Sequence, residues 1–413
     1  MGAKEQLAIN GGEKAVTQLK ARFHFGVEEK EAAMRLFDKS IETGNAFGYN
    51  GPEEEAFGKE FAEFLGGGYA DGVNGGTNAV FVALRALDPK PFSEVIVGAV
   101  TDPGGMMPIV LNNCIPVVCD TEPGKFNIGP EQVESCITPQ TSAIIVPHIG
   151  GEPADIKGIM EVANRHGIPV IEDCAQAHGA KVDGQYVGTF GTYGAFSVMF
   201  GKHFCTGGQG GMVFSKTEDL YWRARRAADR GKPFGIENPV GNVCAAINCN
   251  RDELHAAIGR AQLKKLPGIV AGRRRVAEQL IQKGLGDLKT VIVPETAPNA
   301  VNSYWWMRLK INLAAINCGR EEYFKALAAE GAPVASNYKA ALPSTFPWFQ
   351  NRESKHPWNN PLCQGNPCRE FPLPNAMAAM EETFLFFILE SWDEEEIDML
   401  VKAFRKVDAA FAK

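Results

Sequence analysis

The sequence predicts an α/β protein: a mostly parallel sheet covered by helices in a large domain, followed by a smaller α+β domain at the C-terminus. Short β-branched apolar runs alternate with helical patterns from about residue 53 to 214, the signature of strands buried on both faces and joined by crossovers. Past about Asn250 that rhythm changes. A chain of 413 residues also exceeds one core, because single cores stop growing at roughly 250–300 residues. The division expected is an N-terminal arm over 1–52, a large domain over 53–265 and a small domain over 266–413.

Taken in order, Phe57, Phe61, Phe64 and Leu65 recur at i, i+4, i+7 and i+8 and mark an amphipathic helix that packs on the sheet. The expected strands are Val95–Val100, Ile115–Cys119, Ala143–Pro147, Ile168–Glu172, Ala195–Met199 and Gly211–Phe214, with a helix at Ala154–His166. A long helix then covers Asp252–Leu266 and continues to about Gly284. Strands at Thr290–Val293 and Trp306–Ile311 and a helix at Arg320–Glu330 follow. The stretch Ala341–Pro374, rich in Pro, Asn and Trp, reads as an extended loop, a lid or an interface element. The closing helix, Asp393–Ala412, sets Ile397, Leu400, Val401 and Phe404 on one face.

Composition excludes several classes. At 45% hydrophobic and 22% charged the chain sits among soluble globular proteins, and a net charge of −7 with no aromatic-interleaved basic patch argues against nucleic acid. Ten scattered cysteines without a CxxC pair, and no His/Cys/Asp spacing of the ligand type, leave neither a metal site nor a disulfide framework, so a reducing compartment is expected. No apolar run is long enough to span a membrane, the start lacks the apolar stretch of a signal peptide, and Gln6 breaks the lipidation pattern that Gly2 begins. The expectation is a cytoplasmic protein without membrane contact.

Three segments carry chemistry. In Asn74-Gly75-Gly76-Thr77-Asn78-Ala79, glycines give way to a hydroxyl at the start of a helical run. Thr77 is expected as N-cap, with first-turn N–H groups free to take a phosphate; the same pattern also fits a plain capped turn. Asp173, in Glu172-Asp173-Cys174-Ala175-Gln176-Ala177-His178-Gly179, lies at a strand end, where ligands of parallel sheets bind, although a carboxylate satisfied by backbone reads alike. Ser197 precedes Lys202 in a glycine-flanked, uncharged stretch, where desolvation favours a neutral, nucleophilic amine. An amine, a carboxylate and a phosphate-sized Gly/Ser/Thr set are the parts that hold and tune pyridoxal phosphate.

These ordered motifs, with Phe47-Gly48-Tyr49-Asn50-Gly51-Pro52 ahead of them, resemble the DegT/DnrJ/EryC1/StrS aminotransferases over nearly the whole chain. The resemblance implies the pyridoxal-phosphate transferase fold of type I and an enzyme that aminates keto sugars, often nucleotide-linked, or keto cyclitols from glutamate or glutamine. It implies that Lys202 carries pyridoxal phosphate as a Schiff base, with pyridoxamine phosphate alternating in a ping-pong cycle. Asp173 would pair with the ring nitrogen, Gln176 would contact the ring oxygen, and Gly76, Thr77 and Ser197 would hold the phosphate. Asn248 would reach the phosphate in a neighbouring subunit, which implies a homodimer with shared sites.

Three positions depart from the family pattern: Asp102 where an aromatic stacks on the ring, Asn250 where arginine is common, and Gln209 where an acidic residue is usual. Tyr338 aligns with a tyrosine of the family's substrate region, and His148 stands at a strand end; for both, simple packing is an open alternative, as it is for His178 and His203. Arg223, Arg225, Arg226 and Arg230 read as a charged helix face, one of which could anchor a donor carboxylate, and Trp305-Trp306 as core or interface packing. Two other readings remain: a sugar dehydratase of the same family, against which Lys202 speaks because histidine takes its place there, and a non-catalytic cofactor-binding sensor.

Overall fold

The computed structural model describes residues 6–339, 341–350, 356–363 and 370–413. Gly2 of the lipidation pattern, Cys368 and parts of the 341–374 stretch lie outside these residues. An arm leads into helices α1 (Val27–Thr43) and α2 (Pro52–Phe64). There follow β1 (Tyr69–Val73), α3 (Gly76–Leu87), β2 (Glu94–Gly98), α4 (Pro103–Leu111), β3 (Ile115–Cys119), α5 (Pro130–Cys136), β4 (Thr141–Pro147), α6 (Ile156–His166) and β5 (Val170–Asp173). The short β6 (Lys181–Val182) and β7 (Gln185–Tyr186) precede β8 (Tyr193–Ser197), β9 (Gly211–Ser215) and α7 (Glu218–Ala228).

Strands β1 to β5, β8 and β9 form one seven-stranded sheet in the order β1-β9-β8-β5-β4-β2-β3. Pairing is parallel from β3 through β8, and β9 runs antiparallel to both its neighbours. Alternation of side chains splits each strand between two cores. Val95, Val97, Ile145, Ile171 and Val213 pack with α3, α4 and α7 on one face, whereas Ile96, Ile144, Val146, Val170 and Phe196 pack with α2 and α6 on the other. Burial on both faces is why the strands read as unbroken apolar runs.

Helix α8 (Glu253–Lys283) is continuous, so the expected boundary at 265/266 falls inside it. Its first half packs on the large sheet through Ala256, Leu263 and Leu266, and its second half enters the small core through Val276, Ala277 and Leu280. Beyond it come β10 (Val291–Ile292), β11 (Ala300–Val301), β12 (Met307–Ile311), α9 (Arg320–Ala329), β13 (Val334–Ala335), α10 (Pro347–Gln350), α11 (Pro374–Glu382), β14 (Thr383–Phe386) and α12 (Glu394–Phe411). An antiparallel sheet, β10-β12-β14-β13, packs on α9 and α12, and Leu7, Ala15 and Val16 of the arm join that core.

Two expectations are corrected. The strand expected at Ala195–Met199 lies at Tyr193–Ser197, because after Ser197 the chain turns towards Lys202, with the Lys202 N–H bonded to Met199 O at 2.9 Å. The 341–374 stretch is no plain loop in its described parts: Leu342, Phe349 and Trp358 are buried and extend the large core alongside Tyr338.

Candidate active site

A cavity of about 210 Å³ opens at the carboxyl ends of β2, β4, β5 and β8, the rim where parallel sheets bind ligands. Gly76, Thr77, Asp173, Gln176, Ser197 and Lys202 all line it. Six residues spread over 127 positions of sequence thus meet because consecutive strands end on one side.

Helix α3 begins at Gly76 with extended Gly75 as its N-cap, so Thr77 lies inside the first turn and is not the cap. Its hydroxyl instead packs against α4: a Cβ on Gly104 would stand 2.4 Å from Thr77 Oγ1. Gly76 is pressed on Ser197, where a Cβ would come within 2.6 Å of the serine Cβ, while a Cβ on Gly75 would meet nothing within 4 Å. First-turn N–H groups, a hydroxyl and open space form a cradle suited to a phosphate. Buried Arg251 braces its floor by donating to Val73 O at 2.7 Å and Gly211 O at 2.5 Å.

Lys202 is 7% exposed. Burial lowers its pKa to about 8, opposed by the charges of Asp173 and Asp102. Roughly a tenth of the amine is therefore neutral at pH 7, against a few parts in ten thousand for an ordinary lysine. Asp173 is buried too. Its Oδ1 accepts the Ala175 N–H at 3.0 Å, and burial raises its pKa, against the Ala175 bond and the Lys202 charge. Its second oxygen is approached by helix α4, where a Cβ on Gly105 would lie 3.1 Å from Oδ2 and 2.5 Å from Thr101 Oγ1. Only glycine fits there.

Gln176 accepts the Gly150 N–H at 2.8 Å and donates to the Tyr338 hydroxyl at 2.7 Å, which leaves its second N–H for a ligand. Tyr338 therefore joins the site through Gln176. His148 lines the cavity, yet both its ring nitrogens are engaged: Nδ1 accepts the Ala154 N–H at 3.0 Å, and Nε2 lies 3.2 Å from Glu172 Oε2. His148, Glu172 and Cys174 form a buried group that sequence spacing did not reveal, with ligand-type atoms within 4.8 Å of one another. The Glu172 carboxylate already accepts the N–H groups of Gly188, Phe190 and Gly191, so it is saturated internally.

His178 and His203 lie behind Lys202 with tilted rings, their centroids 5.4 Å apart. Burial, and then the Lys202 charge, push the His178 pKa down to about 3. Asp102 caps α4 by accepting the Gly104 N–H at 2.9 Å and stands exposed at the cavity, with Gly104 and Gly105 behind it. Asn248 lies away from this cavity, exposed on a strip bridged to Asp229. Trp305 was not expected here: its ring centroid is 3.8 Å from Lys202 Nζ. No local pattern pointed to it.

Fold and site together define a protein of fold type I, the fold class of pyridoxal-phosphate enzymes, with a buried lysine and a buried aspartate beside a phosphate-sized cradle. More narrowly, the chain belongs to the DegT/DnrJ/EryC1/StrS aminotransferase family, whose model matches residues 28–399. It is similar to the L-glutamine:scyllo-inosose aminotransferase of Streptomyces griseus, 30% identical over 421 residues and 97% of each chain. The UDP-N-acetyl-3-dehydro-alpha-D-glucosamine 3-aminotransferase of Acidithiobacillus ferrooxidans is 34% identical over 70% of this chain and 75% of its own. Among solved structures, an aminotransferase from Psychrobacter cryohalolentis superposes with a TM-score of 0.82 at 27% identity, covering 95% of this chain and 99% of that one.

Proposed function

We propose that the protein is a pyridoxal-phosphate-dependent aminotransferase that moves an amino group from glutamine or glutamate to a keto cyclitol or keto sugar. The observation that carries this reading is the convergence of Lys202, Asp173 and the Gly76–Thr77–Ser197 cradle in one cavity. The cradle fits a phosphate, the buried Asp173 oxygen fits a pyridinium nitrogen, and the amine of lowered pKa fits an aldehyde. Similarity to the inosose aminotransferase across 97% of both chains supports a cyclitol-sized acceptor, and the Acidithiobacillus relative supports a nucleotide-linked sugar.

Bound pyridoxal phosphate would supply an aldehyde that exchanges amines and a ring that takes up electrons. This chain would do the rest. Gly76, Thr77 and Ser197 would hold the phosphate, Gln176 would donate its free N–H, and Asp173 would keep positive charge on the ring nitrogen. Lys202 Nζ would tether the aldehyde and, once displaced, carry a proton from the donor's α-carbon, a task for which a pKa of about 8 suits it. His178, held neutral, does not compete for that proton.

A homodimer completes the reading. Phe23, Ile41, Phe200 and Val240 are large apolar side chains left exposed, and Val240 belongs to the same strip as Asn248. Asn248 would then serve the partner's phosphate. The test is to load the protein with pyridoxal phosphate, add glutamine or glutamate, and follow conversion of the cofactor's absorbance to the pyridoxamine form. An acceptor screen of keto inositols and keto sugars, free and nucleotide-linked, read by product mass, follows. No conversion with any amino donor would sink the proposal.

A further inference from the structure

Behind the cavity-lining Lys202, two chain segments far apart in sequence, 201–203 and 303–305, are laid against each other. Trp305 donates its indole N–H to Gly201 O at 2.9 Å, and His203 Nε2 lies 3.0 Å from Ser303 O. With the segments so joined, the Trp305 ring faces Lys202 Nζ at 3.8 Å.

A three-residue bridge spans both segments from outside. Arg22, from the arm, donates Nη1 to Lys202 O at 2.7 Å and Nη2 to His203 O at 2.6 Å, with its Nε on Glu390 Oε1 at 2.8 Å. Arg273, from α8, mirrors it by donating Nη1 to Tyr304 O and Trp305 O, both at 2.9 Å, and Nε to Glu390 Oε2 at 3.0 Å. One carboxylate thus joins two guanidiniums, each of which grips two consecutive carbonyls. The side chains are 16%, 13% and 3% exposed for Arg22, Glu390 and Arg273, so the bridge is largely desolvated. Apolar packing is often at least as stabilising as a buried charged group of this kind, whereas directed hydrogen bonds fix geometry.

We propose that Trp305 is the resting place of the Lys202 amine whenever the cofactor does not engage it, and that Arg22, Glu390 and Arg273 are positioning residues that hold this contact. The proposal rests on the reading of Lys202 as the cofactor-binding lysine. A displaced lysine has to stay within reach of the reacting carbon without blocking the incoming amine. A ring beside it that attracts its protonated form meets both needs. None of the three bridging residues lines the cavity, so they act through main-chain position alone.

The charges facing Nζ are those of Asp173 and Asp102, with neutral His178 behind. His24, half-buried beside the bridge, has its pKa pushed down to about 4 by desolvation and by Arg22, and stays neutral through the range tested.

The experiment uses the cofactor-free protein. Lys202 is labelled with acetic anhydride across the pH range in which it titrates, and the labelled peptide is quantified by mass spectrometry. Trp305→Leu is expected to lower the titration midpoint by about one pH unit and to speed labelling at pH 7 several-fold, while Trp305→Phe keeps the midpoint closer to wild type. Glu390→Gln is expected to lower it in the same direction, and Glu390→Asp to restore part of the shift. An unchanged midpoint in Trp305→Leu overturns the resting place. A shift there with none in Glu390→Gln overturns the positioning role. Should Glu390→Gln fail to fold, Arg22→Lys, which keeps the charge and loses the two-carbonyl fork, gives the same discrimination. Borohydride trapping of added pyridoxal phosphate in wild type separately tests the underlying reading: trapping away from Lys202 would overturn that reading whatever the midpoints do.

Discussion

Replacing Lys202 by Met should make the cofactor-free protein more stable, and the gain should vanish as pH rises. Burial lowers the lysine pKa from 10.5 to about 8, so the unfolded chain holds the proton more tightly than the folded one. For a base shifted downward, the cost of burying its charge is fully present below the folded pKa and disappears as pH climbs through the unfolded one. At 1.36 kcal/mol per unit, the penalty is about 3 kcal/mol at pH 7 and about 1 kcal/mol at pH 10. Methionine has nearly the same shape and no charge, so its advantage over wild type should shrink by about 2 kcal/mol between these pH values. Urea unfolding of both proteins at pH 7 and pH 10 measures the difference. Stability curves that run parallel between pH 7 and pH 10 would refute the claim that this amine is held desolvated.

Gly105→Ala would drive a Cβ to 2.5 Å from Thr101 Oγ1 and 3.1 Å from Asp173 Oδ2. It should cost about 1–3 kcal/mol in a thermal melt and weaken pyridoxal phosphate binding through the displaced carboxylate; binding as tight as wild type would show that Asp173 is not pinned by α4. Lys406→Met should strand Glu330, which is fully buried and also takes the Ala8 and Ala15 N–H groups of the arm, at a cost of about 3 kcal/mol or more in urea. Proteolysis of the arm should rise with it, and an unchanged cleavage rate would uncouple the two. Mixing inactive Lys202→Ala and Asn248→Ala subunits should restore part of the activity once exchange is verified. Absence of recovery would remove Asn248 from a shared site.

The central strands were legible because both their faces are buried, which turns β2, β4 and β5 into plain apolar runs such as Val95-Ile96-Val97. Strand β1 was not: its Ala70-Asp71-Gly72 carries no β-branched pattern, and it is held at the sheet edge by pairing with β9. Lys202, Asp173 and Ser197 could be read from sequence since each stands at or just past the end of a strand, and parallel order brings such ends together. Thr77 stands two positions past the observed cap because Gly75 supplies the extended cap conformation by itself. Nothing in the sequence placed Trp305, Arg22, Arg273 or Glu390 beside Lys202. Their partners lie from about 30 to nearly 370 positions away, and most of the acceptors are main-chain carbonyls, which every residue possesses.

The most direct measurement is to load the purified protein with pyridoxal phosphate, reduce it with borohydride, and locate the modified lysine by peptide mass spectrometry. One phosphopyridoxyl group per chain is expected, on Lys202, and none in Lys202→Ala. A stable adduct on any other lysine, or undiminished labelling of the variant, would contradict that expectation.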